Sequence, residues 1–240
     1  MAVRVLVTRP EPGAAATAKR LAAAGFEPVV LPLTQTRPLD LSEPLDPGDF
    51  DAVVATSGAA LRHAPAELLR RLCHLPLLAV GERTADAARA SGFSGATSAG
   101  GDSLMLVGHV VRSLPAGSRL AYLCGRVRTG SLAERLRRGG FAVTVVETYD
   151  TLPVERSADE AAKALGSQAV DAALLYSANA AVLFARFLGA RETAPLVRQA
   201  RLLCISQRAA QALPPPAQDR AEIAAAPDET ALLALLGDTK

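Results

Sequence analysis

Apolar runs of strand length alternate with helix-spaced segments along the whole chain. Val3–Val7 leads into Ala14–Ala24, where apolar residues recur at helical spacing as far as Gly25. Glycine at that place suits the left-handed position that ends a helix. Phe26–Leu33, Ala52–Ala55 and Leu77–Val80 read as further strands. A Thr56-Ser57-Gly58 turn precedes a helix starting near Ala59, and a helix over Arg83–Ala90 stops at Ser91-Gly92. Strands that are apolar on both faces and separated by helices predict parallel sheets covered on both sides.

The pattern occurs twice. Val5-Leu6-Val7-Thr8-Arg9 finds a counterpart in Leu120-Ala121-Tyr122-Leu123-Cys124-Gly125-Arg126, and Ala24-Gly25-Phe26 in Gly139-Gly140-Phe141, 115 residues on. Asp51-Ala52-Val53-Val54-Ala55-Thr56-Ser57 matches Asp171-Ala172-Ala173-Leu174-Leu175-Tyr176-Ser177 at an offset of 120, and Leu78-Ala79-Val80-Gly81 matches Leu203-Cys204-Ile205-Ser206 at 125. Gly101-Asp102-Ser103-Leu104 resembles the segment from Pro227 to Leu232. Ordered matches with slowly drifting offsets predict two similar α/β units. The sequence halves need not be the spatial units: Leu33–Leu39 and Glu147–Pro153 follow the second strand of each half and look like crossing points. If they cross, one lobe is 1–35 plus 152–240, the other is 40–146, and 36–39 and 147–151 are linker strands; a simple tandem fits the periodicity equally well.

Composition narrows the classes. The chain has 240 residues, half of them hydrophobic and 21% charged, enough for a substantial core. No apolar run approaches the roughly 18 residues of a membrane helix, and the arginine-broken start at Met1-Ala2-Val3-Arg4 is unlike a signal peptide; a cytoplasmic protein is expected. A net charge of +2 gives no argument for nucleic acid. Cys73, Cys124 and Cys204 are far apart, odd in number and without the spacing of a disulfide framework or zinc site, and Cys124 and Cys204, in apolar runs, read as buried small hydrophobic residues. His63, His74 and His109 have no metal-ligand spacing and read as surface or helix histidines. Phosphate-binding glycine loops and the nucleophile elbow of acyl-transfer enzymes are absent. No metal or cofactor is expected.

In open parallel sheets ligands bind beyond the carboxyl ends of the strands. The polar loops lie there, each before a helix: Thr8-Arg9-Pro10, Thr56-Ser57-Gly58, Gly81-Glu82-Arg83-Thr84, Gly125-Arg126-Val127-Arg128, Ser177-Ala178-Asn179 and Ser206-Gln207-Arg208. Helix starts with free N–H groups, hydroxyls and arginines suit a polyanionic small molecule. The same hydroxyls also fit plain helix caps.

These loops carry a resemblance. Val5-Leu6-Val7-Thr8-Arg9-Pro10, Phe26 to Pro32, Asp51 to Ser57, Ala79 to Ala85, and Gly140-Phe141 leading to Val145-Val146-Glu147-Thr148-Tyr149-Asp150-Thr151 stand in the order and spacing of uroporphyrinogen-III synthases. The sequence resembles that family along almost its whole length. The resemblance implies two flavodoxin-like parallel-sheet lobes joined by a two-stranded linker. It implies a cofactor-free lyase that dehydrates and cyclises the linear tetrapyrrole hydroxymethylbilane, inverting ring D, to give uroporphyrinogen III. A monomer is the default, and the resemblance leaves room for a transient contact with the preceding pathway enzyme.

The resemblance also implies a site. Tyr149 matches the family's linker tyrosine and is the candidate acid; Thr56, Ser57, Thr84 and Ser177 fall where the family carries hydroxyls. Arg9, Arg83, Arg126 and Arg128, with Gly81, Gly125, Ser206 and Arg208, complete the expected substrate contacts, since guanidinium groups pair bidentately with carboxylates. Gln207-Arg208-Ala209, where the family carries a hydroxyl, and Tyr176, where it carries a threonine, depart from the pattern. A non-catalytic binding module for a small anion, or a synthase paralogue without activity, stay open as alternatives at this point.

Overall fold

The computed structural model describes residues 2–41, 45–128 and 132–237. In chain order the strands are β1 (Arg4–Val7), β2 (Glu27–Val30), β3 (Thr34–Pro38), β4 (Ala52–Ala55), β5 (Leu77–Ala79) and β6 (Ala96–Ser98). They continue with β7 (Arg119–Gly125), β8 (Ala142–Pro153), β9 (Ala172–Leu175), β10 (Arg201–Cys204) and β11 (Ala221–Ile223). The helices are α1 (Gly13–Ala23), α2 (Gly58–His63), α3 (Ala66–Leu72), α4 (Glu82–Ala90), α5 (Ser103–Ser113) and α6 (Leu132–Arg138). They continue with α7 (Ala158–Leu165), α8 (Ala178–Gly189), α9 (Ala194–Val197), α10 (Gln207–Gln211), α11 (Pro215–Gln218) and α12 (Glu229–Ala234).

The chain divides into two compact units. The first is Met1–Gln35 with Leu152–Lys240, the second Thr36–Thr151. The first holds a five-stranded parallel sheet in the order β2-β1-β9-β10-β11. The second holds β8-β7-β4-β5-β6, also parallel, with β3 added at the β8 edge. Along that edge Leu39 N–H donates to the Thr148 carbonyl and Val154 N–H to the Leu33 carbonyl, so β3 runs antiparallel to β8.

The internal repeat extends to strand register. Val5 lies opposite Ala172 and Glu27 opposite Arg4. Their sequence counterparts Leu120 and Ala52, and Ala142 and Arg119, pair in the same way. Arg4 N–H donates to an Asp171 carboxylate oxygen at 2.7 Å, and Arg119 N–H to Asp51 at 2.8 Å. Gly25 and Gly140, the matched helix-ending glycines, have φ of +85° and +89°, conformations that cost a side-chain-bearing residue dearly. Asp102 and Asp228 both cap a helix, α5 and α12 respectively. Each sequence half is nevertheless shared out: β1-α1-β2 stands with β9, β10 and β11, whereas β7-α6-β8 stands with β4, β5 and β6.

Alternation decides which side chains meet. In the first unit Val5, Val7, Ala172 and Leu174 face one apolar cluster, while Leu6, Ala173 and Leu175 face the other. In the second, Ala52 and Val54 pack with Leu106 and Leu136, whereas Val53 and Ala55 pack with Leu61, Leu72 and Phe93. Both sheets are therefore buried on two faces, which is why their strands read as continuous apolar runs. Two sequence expectations shift. The second strand stops at Val30, short of Leu33, with Pro32 just beyond it. Residues 147–151 are not a separate strand but the far part of the 12-residue β8.

Candidate functional site

In each unit the strand order reverses at one place, between β7 and β4 in the second and between β1 and β9 in the first. Beyond the carboxyl ends of the strands at such a reversal, an open sheet leaves room for a ligand.

In the second unit this place is organised around Tyr149. The β7–β8 ladder is regular until Cys124 opposite Glu147; the next residue, Gly125, lies opposite Tyr149. Thr148 is the extra residue of a bulge, a device that re-aims the side chains after it. Before the bulge Val146 packs on the α2 face of the sheet and Val143 and Val145 on the other; after it Tyr149 joins the α2 face. Simple alternation would have sent Tyr149 the opposite way. Thr148 Oγ1 donates to the Ala60 carbonyl of α2 at 2.8 Å. The Tyr149 hydroxyl lies 3.2 Å from Ser57 Oγ, which also caps α2 by accepting from Ala60 N–H. Across the ring sits Gly125, where an added Cβ would fall 2.7 Å from Tyr149 Cζ and 3.0 Å from its oxygen. Gly125→Ala is therefore expected to push the phenol off Ser57 and to cost about 1–2 kcal/mol of stability, read by urea unfolding.

The neighbouring groups are partly engaged already. Thr56 Oγ1 lies 3.3 Å from the buried Tyr122 hydroxyl, whose pKa is raised, chiefly by burial. Arg126 and Arg128 both bond Glu147, at 3.2 and 2.6 Å, and Arg126 also approaches Asp150 at 3.6 Å. Gly81 starts α4 with open space around it, Arg83 is exposed in the first turn, and Thr84 is only 6% exposed, which leaves little of it for a ligand.

The first unit is built differently at its reversal. Here the carboxylate of Glu229, 7% exposed, fills the space beside Arg9. It accepts from Arg9 at 3.1 Å, Arg20 at 2.7 Å, the Tyr176 hydroxyl at 3.3 Å, and Thr17. The Arg9 guanidinium also lies over the Tyr176 ring, 4.6 Å from its centroid. Ser177 and Ser206 cap α8 and α10, and Arg208 is exposed in the first turn of α10. Ser57, Tyr149, Gly125, Arg126 and Arg128 thus come together in one unit, and Arg9 meets Tyr176 in the other. No cluster of metal-ligating side chains occurs among the described residues. Burial pushes the Cys124 and Cys204 thiols up to about 11, as suits inert core residues.

The model of the family described as uroporphyrinogen-III synthase HemD matches residues 15–234. The chain belongs to this family. Two solved structures of synthases have the same fold. That of uroporphyrinogen-III synthetase from Helicobacter pylori superposes with a TM-score of 0.66 at 20% identity, covering 98% of both chains. That of a mutant uroporphyrinogen III synthase from Thermus thermophilus gives 0.53 at 22% identity, covering 98% of this chain and 97% of the other. No curated protein sequence matches. No helix of the described residues is long and apolar enough to cross a membrane.

The sequence alone gives His63, Tyr122 and Glu229 no part in these strand-end clusters, and marks Tyr176 only as a departure from the family pattern. Tyr122 sits in a run that reads as core, and Glu229 stands out only as part of a repeat match. One consequence of the geometry is testable by pH. The hydrogen bond from Arg128 is the largest influence on the Glu147 carboxyl; burial opposes it, and with a further bond from Arg126 the carboxyl is held below its usual value of 4.5. A carboxylate with a depressed folded-state pKa stabilises fully above its unfolded value, and that contribution fades as pH falls through the folded value. The stability difference between wild type and Glu147→Gln is therefore expected to be present above pH 4.5 and to shrink below it, in melts taken across that range.

Proposed function

We propose that the protein converts hydroxymethylbilane to uroporphyrinogen III, with Tyr149 as the group that assists departure of the hydroxyl. Family membership over residues 15–234 carries the reaction, and the placement of the Tyr149 hydroxyl beside Ser57 supports its role. Loss of the substrate hydroxyl leaves a cation delocalised over the pyrroles of the bilane itself. The protein therefore needs one well-aimed donor at the leaving oxygen rather than a strong acid. The phenol gives its proton to that oxygen, which departs as water; the cation releases one proton as the macrocycle closes, which restores the phenol, and Ser57 keeps it aimed.

The harder task is the choice of bond. The free bilane closes without inverting ring D, so the protein must favour attack at the substituted carbon of that ring, which is a matter of orientation. The substrate carries eight carboxylates. Arg126 and Arg128, held by Glu147 at the end of β7, are proposed to bind some of them, with Thr56, Ser57, Gly81, Arg83 and Gly125 as further contacts at the strand ends of the same unit. Ser177, Ser206 and Arg208 are proposed as carboxylate contacts of the first unit. Arg9 is assigned a weaker part, because Glu229 already occupies it, and Thr84 likewise, because it is buried.

The test is to supply freshly made hydroxymethylbilane and resolve the uroporphyrin isomers after oxidation. Isomer III is expected in excess over the spontaneous isomer I. Isomer I alone, at the rate of the buffer control, refutes the activity.

A further inference from the structure

We propose that His63 is a positioning residue for Tyr149, holding the phenol ring from the far end of α2 while Ser57 holds its hydroxyl from the near end. This rests on the reading of Tyr149 as the group that assists the leaving hydroxyl. His63 lies in the last turn of α2 and is half-buried. Its ring centroid is 5.8 Å from that of Tyr149, with the planes tilted by 33°, a packing distance for aromatic pairs. Its Nε2 lies 2.8 Å from Thr36 Oγ1 on β3, so the imidazole is fixed from both sides.

The geometry gives this contact a purpose. The bulge at Thr148 delivers Tyr149 to the α2 face, and the Thr148 hydroxyl ties that backbone to Ala60 in the middle of the same helix. On one side the ring cannot approach β7 further, because Gly125 leaves room for it and nothing more. The Ser57 contact is a single long hydroxyl–hydroxyl pair, which limits the oxygen but not the ring. The imidazole supplies a further wall for the ring itself. Burial, and after it the charge of the adjacent Arg62, lower the His63 pKa, which favours a neutral ring packed on a neutral ring.

A displaced phenol would still bind near substrate but would miss the leaving oxygen, so the loss falls on kcat rather than KM. The experiment measures both constants, and the melting temperature, for His63→Ala, His63→Phe, Tyr149→Phe and the double variant His63→Ala/Tyr149→Phe. His63→Ala is expected to lower kcat about tenfold with KM within twofold, and His63→Phe, which keeps a flat ring, to restore most of it. In the Tyr149→Phe background, removing His63 is expected to cost nothing more, because coupled residues are not additive. Wild-type kcat in His63→Ala, or the same tenfold loss in both backgrounds, overturns the proposal. Wild-type turnover in Tyr149→Phe alone removes the underlying reading, and is seen separately. If His63→Ala does not fold, His63→Leu is compared with His63→Phe instead: a lower kcat at unchanged KM in the leucine variant alone supports the proposal, and equal kcat in the two overturns it.

Discussion

Replacing Tyr149 by phenylalanine is expected to lower kcat by about 100-fold and to leave the protein folded. The variant deletes one oxygen, the atom that lies 3.2 Å from Ser57 Oγ. Side-chain donors to a departing group contribute about 10²–10⁴-fold, and a phenol that only assists a self-stabilising cation belongs at the lower end. The ring keeps its contacts with Gly125 and His63, so the structural cost is one hydroxyl pair at a half-buried place, about 0.5–1.5 kcal/mol. The product reports the same event a second way. As the catalysed path slows, spontaneous closure of the bilane takes a larger share, and the fraction of isomer I rises. Steady-state rates with isomer analysis check both. A Tyr149→Phe protein with wild-type turnover would leave the phenol a packing role alone.

Glu229→Ala is expected to destabilise the protein by about 2–3 kcal/mol in urea unfolding, the largest single loss among the polar groups discussed. Removing one member of a buried ion pair commonly costs about 3–5 kcal/mol, because the partner is left charged and dry. Here the partners are only partly dry: Arg9 is 28% and Arg20 41% exposed, so water recovers part of the loss. The Tyr176 hydroxyl and Thr17 lose an acceptor as well, and Thr17 is fully buried. Glu229 opens α12, so its partners in and around β1, α1 and β9 fasten that last helix to the sheet. Glu229→Gln keeps an acceptor without the charge and is expected to lie between wild type and Glu229→Ala. A loss below about 0.5 kcal/mol in Glu229→Ala, within the range of ordinary surface substitutions, would mean that solvent already satisfies the arginines.

The parallel sheets and the pairing of the repeats were legible because both follow from periodicity. Apolar runs of two-sided strands, helix-ending glycines such as Gly25 and Gly140, and capping aspartates such as Asp102 and Asp228 are local signals. The hydroxyls at Ser57, Ser177 and Ser206 were readable as strand-end groups, and all three do cap a helix. What stayed hidden depends on three dimensions. The bulge at Thr148 leaves no mark in the β-favouring run Val143-Thr144-Val145-Val146-Glu147-Thr148-Tyr149, yet it decides which face Tyr149 joins. His63 reads as one more helix histidine because its partners, Thr36 and Tyr149, lie 27 and 86 residues away in the chain. Glu229 reads as an ordinary residue of a helix start, since only folding brings Arg9, Arg20 and Tyr176 around it.

The sharing of strands between the two sequence halves has a consequence for how such a chain can be divided. A cut in the loop before β7 yields two fragments, and neither contains all five parallel strands of either sheet. Each fragment offers a β-α-β arm that fits only the other's three strands. Such pieces are built to fold by mutual complementation, as in an arm-exchanged homodimer whose subunits have been spliced end to end.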